Sequence, residues 1–97
     1  MITLETYDNE QGRMVEVADM AIVGEVYEEK GVRVDVDPDF YGETVTVREE
    51  VMKALRGASI ANLVGEEAVE AGLDADVIDE ENVLRIDGVP HAQMVRM

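Results

Sequence analysis

Residues 59–64 read Ser59-Ile60-Ala61-Asn62-Leu63-Val64, an uncharged run in a chain in which 32% of residues are charged. Charge is kept out of a segment covered on both faces, so this run is read as a buried strand or covered loop. Gly65 follows, and then Glu66 to Ala71, a short helix with Ala68 and Ala71-Gly72 facing inward. Glu66 and Glu67 in its first turn complement the helix dipole and repel a phosphate, so Gly65 is discounted as an anion site. A strand that runs straight into a helix places both kinds of structure around one core.

Toward the C-terminus, Asp79-Glu80-Glu81-Asn82 reads as a solvated turn. Val83 to Ile86 and Val89 to Val95 form a hairpin, with Asp87-Gly88 as its type I′ turn. Toward the N-terminus, Val32-Arg33-Val34-Asp35-Val36-Asp37 alternates valine with charge, the pattern of a strand with one wet face. Pro38 ends it, and Phe40-Tyr41-Gly42 reads as a turn in which Phe40 is either a core plug or a stacking platform. Thr46 and Glu49 have capping-box spacing before a helix whose Val47, Val51 and Leu55 share a face, closed by Gly57. Ile2 to Tyr7 and Met14 to Val17 read as an opening hairpin around Asp8–Gly12, and Asp19 stands as N-cap of a short helix at 20–23. The expected fold is α+β in a single domain, residues 1–97, with a small mixed sheet of five or six strands and two or three short helices.

Composition narrows the function classes. A chain of 97 residues buries roughly 60–65% of its extended surface, so the apolar residues must serve one core. The 23 acidic residues outnumber the 8 basic ones, giving a net charge of −15, and the bases are six Arg and two Lys. The acids are scattered from Glu5 to Asp87. That pattern reads as adaptation to molar salt; the competing reading is an acidic surface for a basic partner. At about 1 M salt the Debye length is about 3 Å and the self-repulsion of such a chain is screened. Loss of the circular dichroism signal of folded structure on dialysis into dilute buffer is therefore expected; an unchanged spectrum would contradict it. No cysteine, signal-peptide pattern or long apolar run is present, so a cytoplasmic protein that does not cross a membrane is expected, with no metal centre or cofactor.

The candidate binding residues are few. His91 is the lone histidine, and period two sets it beside Val89, Gln93 and Val95 on one side of the last strand. It serves either as an acid/base or phosphate-binding group, or as a structural histidine beside Pro90. Ser59 and Asn62 either line a pocket or bond local backbone. Arg13, Arg85 and Arg96 fall in hairpin strands. Asp35-Val36-Asp37-Pro38-Asp39 opens like an EF-hand loop, but Phe40 and Thr46 stand where its Gly and Glu are needed.

SIANLVGEEAVEAGL (residues 59–73), IDEENVLRIDGVPHAQMVRM (78–97) and GVRVDVDPDFYGE (31–43) resemble a family of small archaeal proteins known as domain of unknown function 424. The tail Gly88-Val89-Pro90-His91-Ala92-Gln93 after an Asn82-Val83-x-x-Ile86 strand carries most of the resemblance. It implies an archaeal source, here haloarchaeal given the charge, and an α/β fold with no assigned activity. Asp74-Ala75-Asp76 reads as an acidic insertion that lengthens a surface connection.

Three functions remain. The first is a non-enzymatic accessory domain on a macromolecular complex, RNA- or ribosome-related, with Arg13, Arg85 and Arg96 as a patch; net acidity argues against the RNA version. The second is a small-molecule or minor enzymatic site where His91, Gln93, Asn62 and Ser59 converge. The third is a homodimer formed by edge addition of the last strand.

Overall fold

The opening segments pair as expected. Strands β1 (Ile2–Asn9) and β2 (Gly12–Asp19) are antiparallel, in register from Ile2 opposite Asp19 to Asn9 opposite Gly12. Gly12 has φ +123°, and a Cβ there would come within 2.1 Å of Ser59 Oγ, so both backbone and space require glycine. The computed structural model describes residues 1–96.

A second hairpin follows, β3 (Val26–Glu29) with β4 (Val32–Asp35), as a separate two-stranded sheet. A single-turn helix α1 (Pro38–Tyr41), the two-residue strand β5 (Val45–Thr46) and helix α2 (Arg48–Arg56) come next. The uncharged run becomes β6 (Ile60–Val64) and leads into α3 (Glu66–Asp74). The chain closes with β7 (Leu84–Ile86) and β8 (Val89–Val95), joined at Asp87 and Gly88, both with positive φ as a type I′ turn demands. The main sheet has the order β5-β1-β2-β6-β8-β7 and is mixed: β2 and β6 run parallel, and the other pairs are antiparallel. Among the described residues the fold is thus α+β, with three α-helices and a six-stranded main sheet.

Each face of the sheet carries its own core. On one face, Val15, Val17, Ala61, Leu63, Ala92 and Met94 pack against Val51 and Leu55 of α2 and Ala68 and Ala71 of α3. On the other, Ala18, Val64 and Ile86 meet Val34, Val36 and Tyr41 from the small hairpin and α1. Covering by helices on one side and a hairpin on the other explains why 59–64 carries no charge. Arg48 bridges the two helices, pairing with Glu70 at 3.0 Å and with Asp74.

Several local expectations give way to longer-range structure. Thr46 does not cap α2: it pairs with Ile2 in β5, and Val47, 60% exposed, stands at the helix start without a side-chain bond. The buried stripe is therefore Val51 and Leu55. Asp19 does not cap the 3₁₀ turn Met20–Ile22. Parallel pairing sets Ala18 beside Val64, so Asp19 lies level with the start of α3 and accepts from Ala68 N–H (2.8 Å) and Glu67 N–H (3.2 Å). The buried aromatic is Tyr41; Phe40 is half-buried. In the valine strand, Val34 and Val36 are buried, whereas Val32 is exposed. Asp74-Ala75-Asp76 is not merely a surface connection, since Asp74 ends α3 and Ala75 joins the core.

Candidate functional site: a polar row on the sheet

The register brings four polar side chains into line across four adjacent strands. Glu5 faces Glu16, Glu16 lies beside Asn62, and Asn62 faces Gln93. Side chains directly opposed in this way sit about 4.5–5.5 Å apart at Cβ. His91 occupies the next row, between Val64 and Leu84. The row on the other side is Tyr7, Met14, Ile60 and Val95. All lie on the face opposite α2 and α3, which the small hairpin and α1 cover only in part. Gln93 is exposed, Val95 is 58% exposed, and Asn62, His91, Met14 and Ile60 are half-buried.

Glu16 is the anomaly in this row. It is fully buried, Asn62 Nδ2 donates to its Oε1 at 3.0 Å, and Oε2 has no partner. Burial pushes its carboxyl up to about 7, against the smaller opposing effect of the Asn62 bond. The α1 turn lies over it: Tyr7 Oη donates to Phe40 O (2.7 Å) and Asp39 O (3.3 Å), and Asp37 caps the turn through Asp39 N–H. Burial also raises the Tyr41 phenol, with Glu16 adding to the effect, and burial lowers His91.

Of the four residues expected to converge in one pocket, Asn62 and Gln93 stand opposite each other and His91 lies one row away on the same face. Ser59 does not join them. It precedes β6, its N–H donates to Arg13 O (2.8 Å), and its side chain packs on Gly12. The arginines form no single patch: Arg13 and Arg96 flank Ser59 at one end of the sheet, and Arg85 lies at the other. Arg13 pairs with Asp8 (2.7 Å) at the end of the sheet where β6 starts, and Arg85 pairs with Glu66 (3.0 Å) at the other end. Arg96 donates to the carbonyl of Arg56 at 2.9 Å. A cavity of about 140 Å³ beside Ser59 and Arg13 is lined also by Met14 and Ile60 of the adjoining row, and one of about 280 Å³ lies between Arg13 and α2. The row is exposed at Gln93, half-buried at Asn62 and covered at Glu16. The last strand is covered over part of its length: β7 pairs with Val89 to His91, while residues 92–95 pair, among the described residues, with β6 alone.

Sequence reading missed Glu16 because alternation against Val15 and Val17 sends it to a face that looks solvent-exposed. Its neighbours on that face, Met14 and Ala18, are apolar, and that was the available signal.

A mixed sheet with helices on one face and a part-open polar face on the other defines a small α+β domain. The chain belongs to the protein family of unknown function DUF424, whose model matches residues 6–97. Its fold is similar to that of an uncharacterized conserved protein from Methanopyrus kandleri. The two share 19% identity and a TM-score of 0.78, over 99% of this chain and 94% of that one. No curated protein matches it.

Proposed function

We propose that this protein is a non-catalytic accessory domain that docks on a larger macromolecular assembly through the open sheet face, and that the surface it meets there is protein. The carrying observation is the pair of adjoining rows on that face. Asn62 and Gln93 offer amide donors and acceptors beside the partly exposed apolar row Met14, Ile60 and Val95. An apolar strip next to orienting hydrogen-bond groups is the make-up of a protein interface. An RNA-facing surface fits less well. Binding a polyanion draws on unpaired basic charge, and here the net charge is −15 and Arg13 and Arg85 are already paired with carboxylates.

The test is sedimentation of the tagged protein at native salt, from a salt-adapted archaeal host, with and without ribonuclease. Fast sedimentation that survives ribonuclease supports a protein partner. Abolition by ribonuclease replaces it with an RNA-dependent partner such as the ribosome. A free small protein under both conditions overturns docking.

A second reading rests on Glu16, whose carboxyl near 7 lies in line with Asn62 and Gln93 and one row from His91. A minor acid/base or small-molecule site there would show as metabolite-dependent shifts confined to these residues.

A further inference from the structure

A buried carboxyl oxygen without a partner is costly, and ionising it costs more. Nothing in the fold neutralises Glu16. The ion pairs of the described residues lie elsewhere. Glu5 stands opposite it on β1, Tyr7 of the adjoining row and Tyr41 of the α1 turn feel its charge, and β6 contributes the neutral Asn62; Asp37 and Asp39 at the α1 turn act on Tyr7. His91 on β8 is one row further along, and its burial favours the neutral ring. Glu16 Oε2 is thus left without a hydrogen-bond partner in a buried setting.

Aromatic rings stand next to it. Tyr7 and Phe40 stack with centroids 6.0 Å apart, and Phe40 meets Tyr41 edge-on at 5.2 Å. A guanidinium group is planar and weakly hydrated, stacks on aromatic faces and bonds carboxylates, which an ammonium group does less well. The cover is a single helical turn that ends at Gly42 with φ +76°.

Resting on the docking reading above, we infer that Glu16 is the anchor for a guanidinium group of the partner, an arginine side chain received between its Oε2 and the Tyr7–Phe40–Tyr41 rings as Pro38–Tyr41 moves outward. The arginine then replaces the proton that Glu16 holds, so binding strengthens as pH rises toward 7 and levels off above it.

The probe is N-acetylarginine amide, with N-acetyl-lysine amide at equal ionic strength as control. The ¹³C carboxyl signal of Glu16 is followed from pH 4 to pH 9. Saturating arginine amide is expected to lower the Glu16 midpoint by about one pH unit, a tenfold preference for the ionised form, and to shift the Phe40 and Tyr41 ring signals. Glu16→Gln should abolish the ring shifts; Phe40→Leu, which keeps the carboxyl, should weaken the Tyr41 ring shift several-fold. An unmoved midpoint, an equal response to lysine amide, or undiminished ring shifts in Glu16→Gln would overturn the inference. Should the amide have no effect while changes at Gln93 and Val95 still abolish sedimentation with the assembly, the arginine anchor is wrong and docking stands.

Discussion

Gly65→Ala is expected to cost about 3 to 5 kcal/mol, the sum of backbone strain and a lost helix cap. Gly65 has φ +109°, where an L-residue is strained. Its added Cβ would fall 2.3 Å from Asp19 Cγ and 2.6 Å from Oδ1. The carboxylate would have to leave, and with it both bonds to the first turn of α3. A small domain has a total stability of about 5–15 kcal/mol, so much of the margin is removed. Urea unfolding at molar salt provides the measurement, and two controls separate the causes. Gly31→Ala carries a comparable φ of +83° with nothing within 4 Å of the new Cβ, and should lose only about 1 kcal/mol. Asp19→Ala removes the cap without the clash, so Gly65→Ala added to it should cost less than it does in the native chain. Equal losses for Gly65→Ala and Gly31→Ala would show that the Asp19 contact is energetically idle.

Raising the pH should destabilise the protein, and Glu16 should account for much of the effect. Its folded carboxyl lies at about 7 and its ordinary value is 4.5. Between those values the unfolded chain has released the proton while the folded chain still holds it, so stability falls as pH rises through the window and levels off above about 7. At 1.36 kcal/mol per unit the full loss is about 3 kcal/mol. Burial also raises the Asp19 carboxyl, so the informative quantity is a difference. Unfolding free energies at pH 5 and pH 8 should differ by about 2.5 kcal/mol less in Glu16→Gln than in the native chain. Identical pH dependence in the two proteins would mean that Glu16 is solvated in solution.

Elements whose pattern is local were legible in the sequence. The uncharged run became the covered strand β6, Asp87-Gly88 became a type I′ turn, and period two placed His91 with Gln93. The hairpin of β3 and β4 went half-seen. Lys30 and Gly31 form its turn with two positive φ angles, but lysine at the first position gives no turn signal, and Val26-Tyr27-Glu28-Glu29 barely alternates. What the sequence hid was register. The parallel pairing of β2 with β6 joins residues 46 positions apart, as in Glu16 with Asn62. That one pairing sends Asp19 to α3 and sets Glu16 beside Asn62. No local periodicity encodes such a meeting, so Asn62, Gln93 and His91 were singled out while the buried acid that completes their row was not.

Docking through the open sheet face is tested most directly by comparing two surface variants in the sedimentation experiment. Gln93→Glu with Val95→Glu places two charges on that face, at positions exposed enough to leave the fold intact. Val47→Glu places a charge at a similarly exposed position at the start of α2. The expected result is that the first variant sediments as a free small protein while the second still travels with the assembly. Retention of the Gln93→Glu/Val95→Glu variant on the assembly, at the level of the native chain, would contradict the assignment of this face.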